Sequence, residues 1–443
     1  MQNVEIDRDR LLLQRLNSLS VDNDEYWSFR GDSNREYCHG IFQYPAMMVP
    51  QLVRVILAEI CSVQPKVQIV GDPFVGSGTV LTESLLQGKD FWGVDINPLA
   101  ILLCKVKRGP FKIDELRIKI DELIARLANN TTNDQTTFNN VDKWFRRDVR
   151  MSLSKLRECI RGEEELSARR FFWIAMAETV RLTSNSRTST FKLHIRTPEE
   201  IDSREDEVEN IFRETIERNF QLYKNQSQKL CESRLLNNGQ YIHQVGITLG
   251  DIRAVTSEKK CDLIITSPPY GDNATTVPYG QYSYLPLQWI DLEDICDEIT
   301  YDPLASTHAI DSASLGGSKK ITDAELDSIK ELSNSFSNYA DSIRDEPRDR
   351  INRVTSFMRD INHSLPGILE SLATEGLMVW ILGNRTVGGH EVPFDQILTE
   401  LLHAHGARHL CTLTRAIPTK RMALKNNRSS TMLRERIVVI RKK

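Results

Sequence analysis

GDPFVGSGTVLTESLLQGKDFWGVDINP, residues 71–98, is the stretch whose reading decides the fold. The apolar run VQIV at 67–70 enters it as a strand. Asp72, Pro73, Phe74, Gly76 and Gly78 form a tight turn, and helical periodicity begins near Thr79. Glycine lets backbone approach a bound ligand closely. The N–H groups of a first helical turn have no partner inside the helix. Seventeen residues after Gly78 a second strand ends in Asp95, Ile96 and Asn97, and an acidic side chain at that place accepts the hydroxyls of a ribose. The spacing is not G-x-G-x-x-G, and no Lys follows Gly78 as a phosphate-binding loop requires. Asp72 opposes a diphosphate and suits a cationic amino group. The element therefore predicts a site for a nucleoside cofactor carrying an amino-acid moiety, against the plainer alternative of a tight turn with no ligand.

Further apolar runs follow the same pattern outward: FWGVDINP at 91–98, CDLIITSPPY at 261–270, GLMVWILGN at 376–384, HLCTLTRAI at 409–417 and ERIVVIRKK at 435–443. Strands this continuously apolar belong to a sheet covered on both faces. Helical periodicity follows several of them, at 79–88, 99–108 and 393–406. Strand then helix, repeated, predicts a doubly wound α/β domain. Residues 110–235 read as mostly helical and 303–370 as polar with helical runs, while ANNTTNDQTTFNN at 128–140 reads as a loop. The expected organisation is an extension at 1–38, a core made of 39–110 and 240–443 with an insert at about 290–370, and a mainly helical insert at 111–239.

TSPPY at 266–270 ends one of the buried strands. Pro268 and Pro269 have no N–H, so their carbonyls are pure acceptors on a rigid chain. Ser267 can donate or accept, and Tyr270 offers an aromatic face. These are parts for gripping an amino group on an aromatic ring, as a base displaced from a duplex requires.

Together, DPFVGSGT and TSPPY resemble the amino-directed DNA methyltransferases, cytosine-N4 and adenine-N6. The resemblance implies a Rossmann-like class I methyltransferase fold with a mostly parallel seven-stranded sheet. It implies S-adenosylmethionine as cofactor, double-stranded DNA as partner and base flipping. The family's Phe-x-Gly-x-Gly motif matches Phe74, Gly76 and Gly78, its acidic residue after the second strand matches Asp95, and its catalytic motif matches Ser267, Pro268, Pro269 and Tyr270. HGIFQYPAMMVPQLVRVIL at 39–57 looks like the segment closing over the methionine end, which brings in Tyr44 and Pro45. VGITLGDIRAV at 245–255 looks like the third strand and puts Asp251 near the adenine. The Ser form of the catalytic motif favours cytosine-N4 over adenine-N6. The arrangement of the motifs implies that target-recognition residues lie between them.

The remaining features exclude more than they assign. The chain has 443 residues, 40% of them hydrophobic, enough for a sizeable core, but no apolar run long enough to span a membrane. Its eight cysteines, at 38, 61, 104, 159, 231, 261, 296 and 411, form no Cys-x-x-Cys, so reduced thiols, a cytoplasmic setting and no metal site are expected. No Pro-Cys pair provides the nucleophile of a cytosine-C5 enzyme. A net charge of −4 leaves nucleic acid open, since the placement of positive charge decides. Arg187 and Lys192 in RLTSNSRTSTFKLHIR at 181–196, and Lys420, Arg421, Lys425 and Arg428 in the basic C-terminal stretch, are candidates for DNA contact, with a solvated surface as the plainer alternative. Tyr279, Tyr282, Tyr284 and Trp289 either line a base pocket or pack a loop. An RNA base methyltransferase and an inactive nucleic-acid-binding protein with this fold are the rival functions, and a restriction endonuclease is the conceivable companion. The recognition sequence and oligomeric state are not encoded in any motif.

Overall fold

The structure is a computed structural model and describes residues 2–21, 25–130, 136–273, 276–317, 320–417 and 433–443. Its centre is a seven-stranded sheet built from β1 (Ile69–Asp72), β2 (Asp90–Asp95), β3 (Val245–Leu249), β4 (Cys261–Thr266), β5 (Leu372–Leu382), β6 (Ala407–Ala416) and β7 (Arg434–Lys442). The spatial order is β6-β7-β5-β4-β1-β2-β3. Strands β3, β2, β1, β4 and β5 run parallel, and β7 is antiparallel to both of its neighbours. The chain moves one way from β1 to β2 and β3, then returns to β4 on the other side of β1. That reversal opens a crevice at the carboxyl ends of β1 and β4, where open α/β sheets bind ligands.

Among the described residues, thirteen longer helices surround the sheet: α1 (Gln2–Ser18), α2 (Pro50–Val63), α3 (Thr79–Leu86), α4 (Pro98–Lys107), α5 (Ile113–Asn129), α6 (Arg147–Arg161), α7 (Leu166–Thr183), α8 (Val208–Glu232), α9 (Tyr279–Trp289), α10 (Asp323–Leu332), α11 (Asn334–Ser342), α12 (Arg348–Ser371) and α13 (Phe394–Ala404). Two cores result because successive strand side chains point to opposite faces. On β5, Leu377, Val379 and Ile381 join the core under α1–α9, while Met378, Trp380 and Leu382 join the one under α10–α13. This accounts for the unbroken apolar reading of that strand.

Two segments set apart in the sequence sit within these cores. Helices α5–α8, between 113 and 232, contribute Leu123, Leu153, Phe172 and Phe212 to the same cluster as Val80 and Leu103 of α3 and α4. In the N-terminal stretch, Leu12 and Leu16 of α1 are fully buried. Asp9 pairs with Arg441 and Arg408 of the β6–β7 hairpin. No helix among the described residues is long and apolar enough to cross a membrane.

Candidate active site

β1 delivers Asp72 to the start of a turn that favours glycine at two positions. Gly76 (φ +46°) and Gly78 (φ +72°) lie in the left-handed region, which strains other L-residues. A Cβ on Gly78 would stand 2.9 Å from Cys104 Sγ, so α3 starts over α4 with no room for a side chain there. The buried Lys107 of α4 donates to the Ser77 carbonyl at 2.7 Å and anchors the turn from behind. From the other side Asp95, ending β2, accepts the Gly76 N–H at 2.8 Å and the Asn97 N–H at 2.8 Å, one on each oxygen. Asn97 caps α4 by accepting the Leu99 N–H, and it donates to Tyr44 Oη at 2.9 Å and Ser283 Oγ at 2.8 Å. The ends of β1 and β2 are thereby tied to the 44–48 segment and to α9.

Asp72 is fully buried. Its Oδ1 accepts from Thr266 Oγ1 at 2.6 Å and from the Phe74 N–H at 3.1 Å, while its Oδ2 has no partner among the described residues. Thr266 is the last residue of β4, so this bond fastens the carboxyl ends of β1 and β4 together. Burial pushes the Asp72 carboxyl up to about 7 and the Asp95 carboxyl up to about 6. A buried oxygen without a donor is rare, and a cationic amino group is the partner that would restore Asp72 to its charged form.

Directly beyond Thr266, Ser267 Oγ donates to Tyr270 Oη at 3.3 Å, and Tyr270 Oη donates to Glu435 Oε1 at 3.0 Å. Glu435 is paired in turn with the buried Arg415 at 2.9 Å across the β6–β7 hairpin. With its proton directed at Tyr270, Ser267 has lone pairs to offer a neighbouring N–H.

Between the glycine turn and Ser267 lies a cavity of about 820 Å³, its open mouth included. Eleven of the residues singled out in the sequence line it: Tyr44, Pro45, Pro73, Phe74, Gly76, Asp95, Ile96, Asn97, Asp251, Ser267 and Pro269. Asp72, Gly78, Thr79 and Pro268 are buried behind its wall, and Tyr270 is half-buried beside it. Asp251 is engaged by Arg253, whose Nε lies 2.9 Å from both carboxylate oxygens. Arg187 is paired with Glu200 at 2.9 Å, and Lys192 is exposed. Lys420, Arg421, Lys425 and Arg428 lie outside the described residues.

The family model for D12 class N6 adenine-specific DNA methyltransferases matches residues 51–229. The type II methyltransferase M.MvaI of Kocuria varians is 32% identical to the chain over an alignment of 457 positions that covers 98% of each protein. The chain belongs to the amino-directed DNA methyltransferases. A second relative, the type II methyltransferase M.MjaII of Methanocaldococcus jannaschii, is 32% identical over 96 residues, 22% of this chain and 17% of its own. The methyltransferase uses S-adenosylmethionine to methylate DNA.

The cavity of the methyltransferase suits that cofactor on its own chemistry. Asp72 Oδ2 is a buried acceptor lacking a donor, and Asp95 keeps lone pairs beyond its two backbone bonds. Phe74, Ile96 and Ile252 give apolar surface for a purine. Sequence reasoning missed part of the wall. Asn273 is 3% exposed with an Oδ1 that has no partner among the described residues, and Ile310, Ala313, Ser314 and Leu315 come from the stretch treated as an insert. Ser267 and its neighbours carry a motif, but those four residues are ordinary apolar or small types whose role exists only after folding. Of the aromatics left open, Tyr279 lines the cavity, stacked on Tyr44 at 5.8 Å, while Trp289 is fully buried.

Proposed function

We propose that this methyltransferase modifies the exocyclic N4 amine of cytosine within a specific DNA sequence. The observation that carries the reading is Ser267. It opens the Ser-Pro-Pro-Tyr motif, and its hydroxyl proton is held by Tyr270 while the residue lines the cofactor cavity. When bound, S-adenosylmethionine supplies an activated methyl group. Asp72 and Asp95 hold that cofactor by its amino group and ribose. Tyr44 and Phe74 flank it. Ser267 accepts an N–H of the target amine and turns the nitrogen lone pair toward the methyl donor. Pro269 keeps the acceptor rigid. Positioning two reactants in this way supplies much of such a rate enhancement, and no covalent intermediate is needed.

Adenine-N6 is the second reading, favoured by the description of the family model that matches residues 51–229. Incubation with isotopically labelled cofactor and mixed-sequence duplex, then nucleoside mass spectrometry, separates the two. Label in N4-methylcytosine supports the proposal, and label in N6-methyladenine replaces it with the second reading. The helices between 113 and 232 are the proposed target-recognition region, supported by their place between the two motifs. Crosslinking to cognate duplex should map there, and crosslinks confined to 271–443 would remove that assignment. A cytoplasmic setting and a companion restriction endonuclease fit an enzyme of this class. Loss of cleavage protection in cells lacking the methyltransferase would reveal the companion.

A further inference from the structure

Arg181 stands in the last turn of α7, where its guanidinium lies over the Tyr282 ring at 4.0 Å. The nearest carboxylate, Glu178, is already bridged to Arg218 at 3.0 Å. Among the described residues no hydrogen bond or ion pair engages the Arg181 guanidinium. The helix-end carbonyls that would otherwise repel an anion are covered, because Arg204 donates to the carbonyls of Leu182 and Ser184.

The 186–195 loop folds over this guanidinium and is held there. Ser186 and Ile195 pair as an isolated bridge, the Leu193 N–H donates to Gln281 Oε1 at 3.2 Å, and Phe191 packs edge-on against Tyr282 at 5.7 Å. A shallow pocket open to solvent results, lined by Arg181 and by the exposed Lys192. Arg187 also borders it, but its charge is taken by Glu200. Tyr282 lines this pocket and packs toward the active site. One turn earlier on α9, Tyr279 lines the cofactor cavity, and the Tyr282 ring lies 6.5 Å from Tyr44.

We infer that this pocket is a binding site for a phosphodiester of the DNA strand entering the active site, with Arg181 as its principal donor and Lys192 as its second. The inference rests on the DNA methyltransferase reading and adds where the strand's backbone is clamped. A guanidinium spread on an aromatic face, weakly hydrated and without a carboxylate, presents its donor edge to phosphate oxygens. The clamp packs through Tyr282 against Tyr44 of the cofactor cavity, and backbone contacts fix a protein's register on the duplex.

The test is equilibrium binding of the full-length protein to duplex DNA across a range of salt concentrations, beside cofactor titration without DNA. Each neutralised phosphate contributes about 0.9 to the slope of log affinity against log salt. Arg181→Met should flatten the slope by about one and leave cofactor affinity at the wild-type value. Arg181→Lys, which keeps the charge, should largely retain the slope. An unchanged slope in an Arg181→Met protein that still binds cofactor normally would overturn the inference. Should Arg181→Met not fold, Lys192→Gln at an exposed position decides: a flatter slope supports the site and an unchanged one rejects it. If the wild-type protein itself neither binds nor methylates DNA, the functional reading fails, and that result is distinct from a failure of the clamp.

Discussion

Asp95 accepts one backbone N–H from the glycine turn, at Gly76, and one from Asn97, and still faces the cavity. Losing a charge-assisted hydrogen bond costs about 1.5–3 kcal/mol, so Asp95→Ala should weaken cofactor binding by roughly ten- to a hundredfold. Calorimetry giving wild-type affinity in a folded variant would refute the ribose assignment. Titration adds a second check. Burial raises Asp72 from 3.8 to about 7 and Asp95 from 3.8 to about 6. Both then bind protons more tightly folded than unfolded, so the cofactor-free protein loses stability as pH rises from about 4 to about 7. Cofactor affinity moves the other way, because the ligand needs the charged forms, and it should fall as pH drops from 8 to 6. Asp72→Asn should bind more weakly at pH 8 and show a flatter profile; an unaltered profile would mean that Asp72 does not meet the amino group. Ser267 was legible as an acceptor in the sequence, but the restraint on its proton was not. Tyr270 and Glu435 are 165 residues apart, and no local pattern links them. Tyr270→Phe should therefore lower kcat several-fold with cofactor affinity unchanged, and an undiminished kcat would show that the hydroxyl does not restrain Ser267.

At the scale of the element, the two glycines of the turn separate backbone strain from crowding. Each loses about 1–2 kcal/mol on gaining a side chain in the left-handed region. Gly76 has 3.7 Å to its nearest neighbour, while Gly78 meets Cys104 Sγ at 2.9 Å. Gly78→Ala should thus melt below Gly76→Ala, and the reverse order would contradict the close contact of α3 on α4. Strands β1, β2, β4, β5 and β7 were legible because burial on both faces leaves an unbroken apolar signature. Helix α1 was not, since its first residues alternate charge and, among the described side chains, Leu12 and Leu16 are the apolar ones buried in the core. Its docking depends on Asp9 meeting Arg441, which is 4% exposed. Removing one partner of a buried ion pair costs about 3–5 kcal/mol. Arg441 also donates to the Glu375 carbonyl, so Asp9→Asn should fall at the low end of that range. A melting temperature equal to wild type would show that α1 is not part of the core.

At the scale of the molecule, the sheet order puts β1 and β4 side by side although 188 residues separate the end of one from the start of the other. The glycine turn and the Ser-Pro-Pro-Tyr motif are remote in the sequence and face one cavity because of that pairing. The Asp72–Thr266 bond at 2.6 Å fixes their separation. The motifs announced the two ends of the site, but the wall from 310–315 and the clamp at Arg181 arise from long-range packing that periodicity cannot register. The central claim is that the cavity joins cofactor and target amine at Ser267. It is tested most directly by single-turnover transfer of labelled methyl to duplex DNA by Ser267→Ala at saturating cofactor. The N–H bond to Ser267 becomes charge-assisted as the amine gains positive charge, which is worth about 1.5–3 kcal/mol. The predicted result is a rate lower by roughly ten- to a hundredfold with cofactor affinity unchanged. Transfer at the wild-type rate would contradict the account.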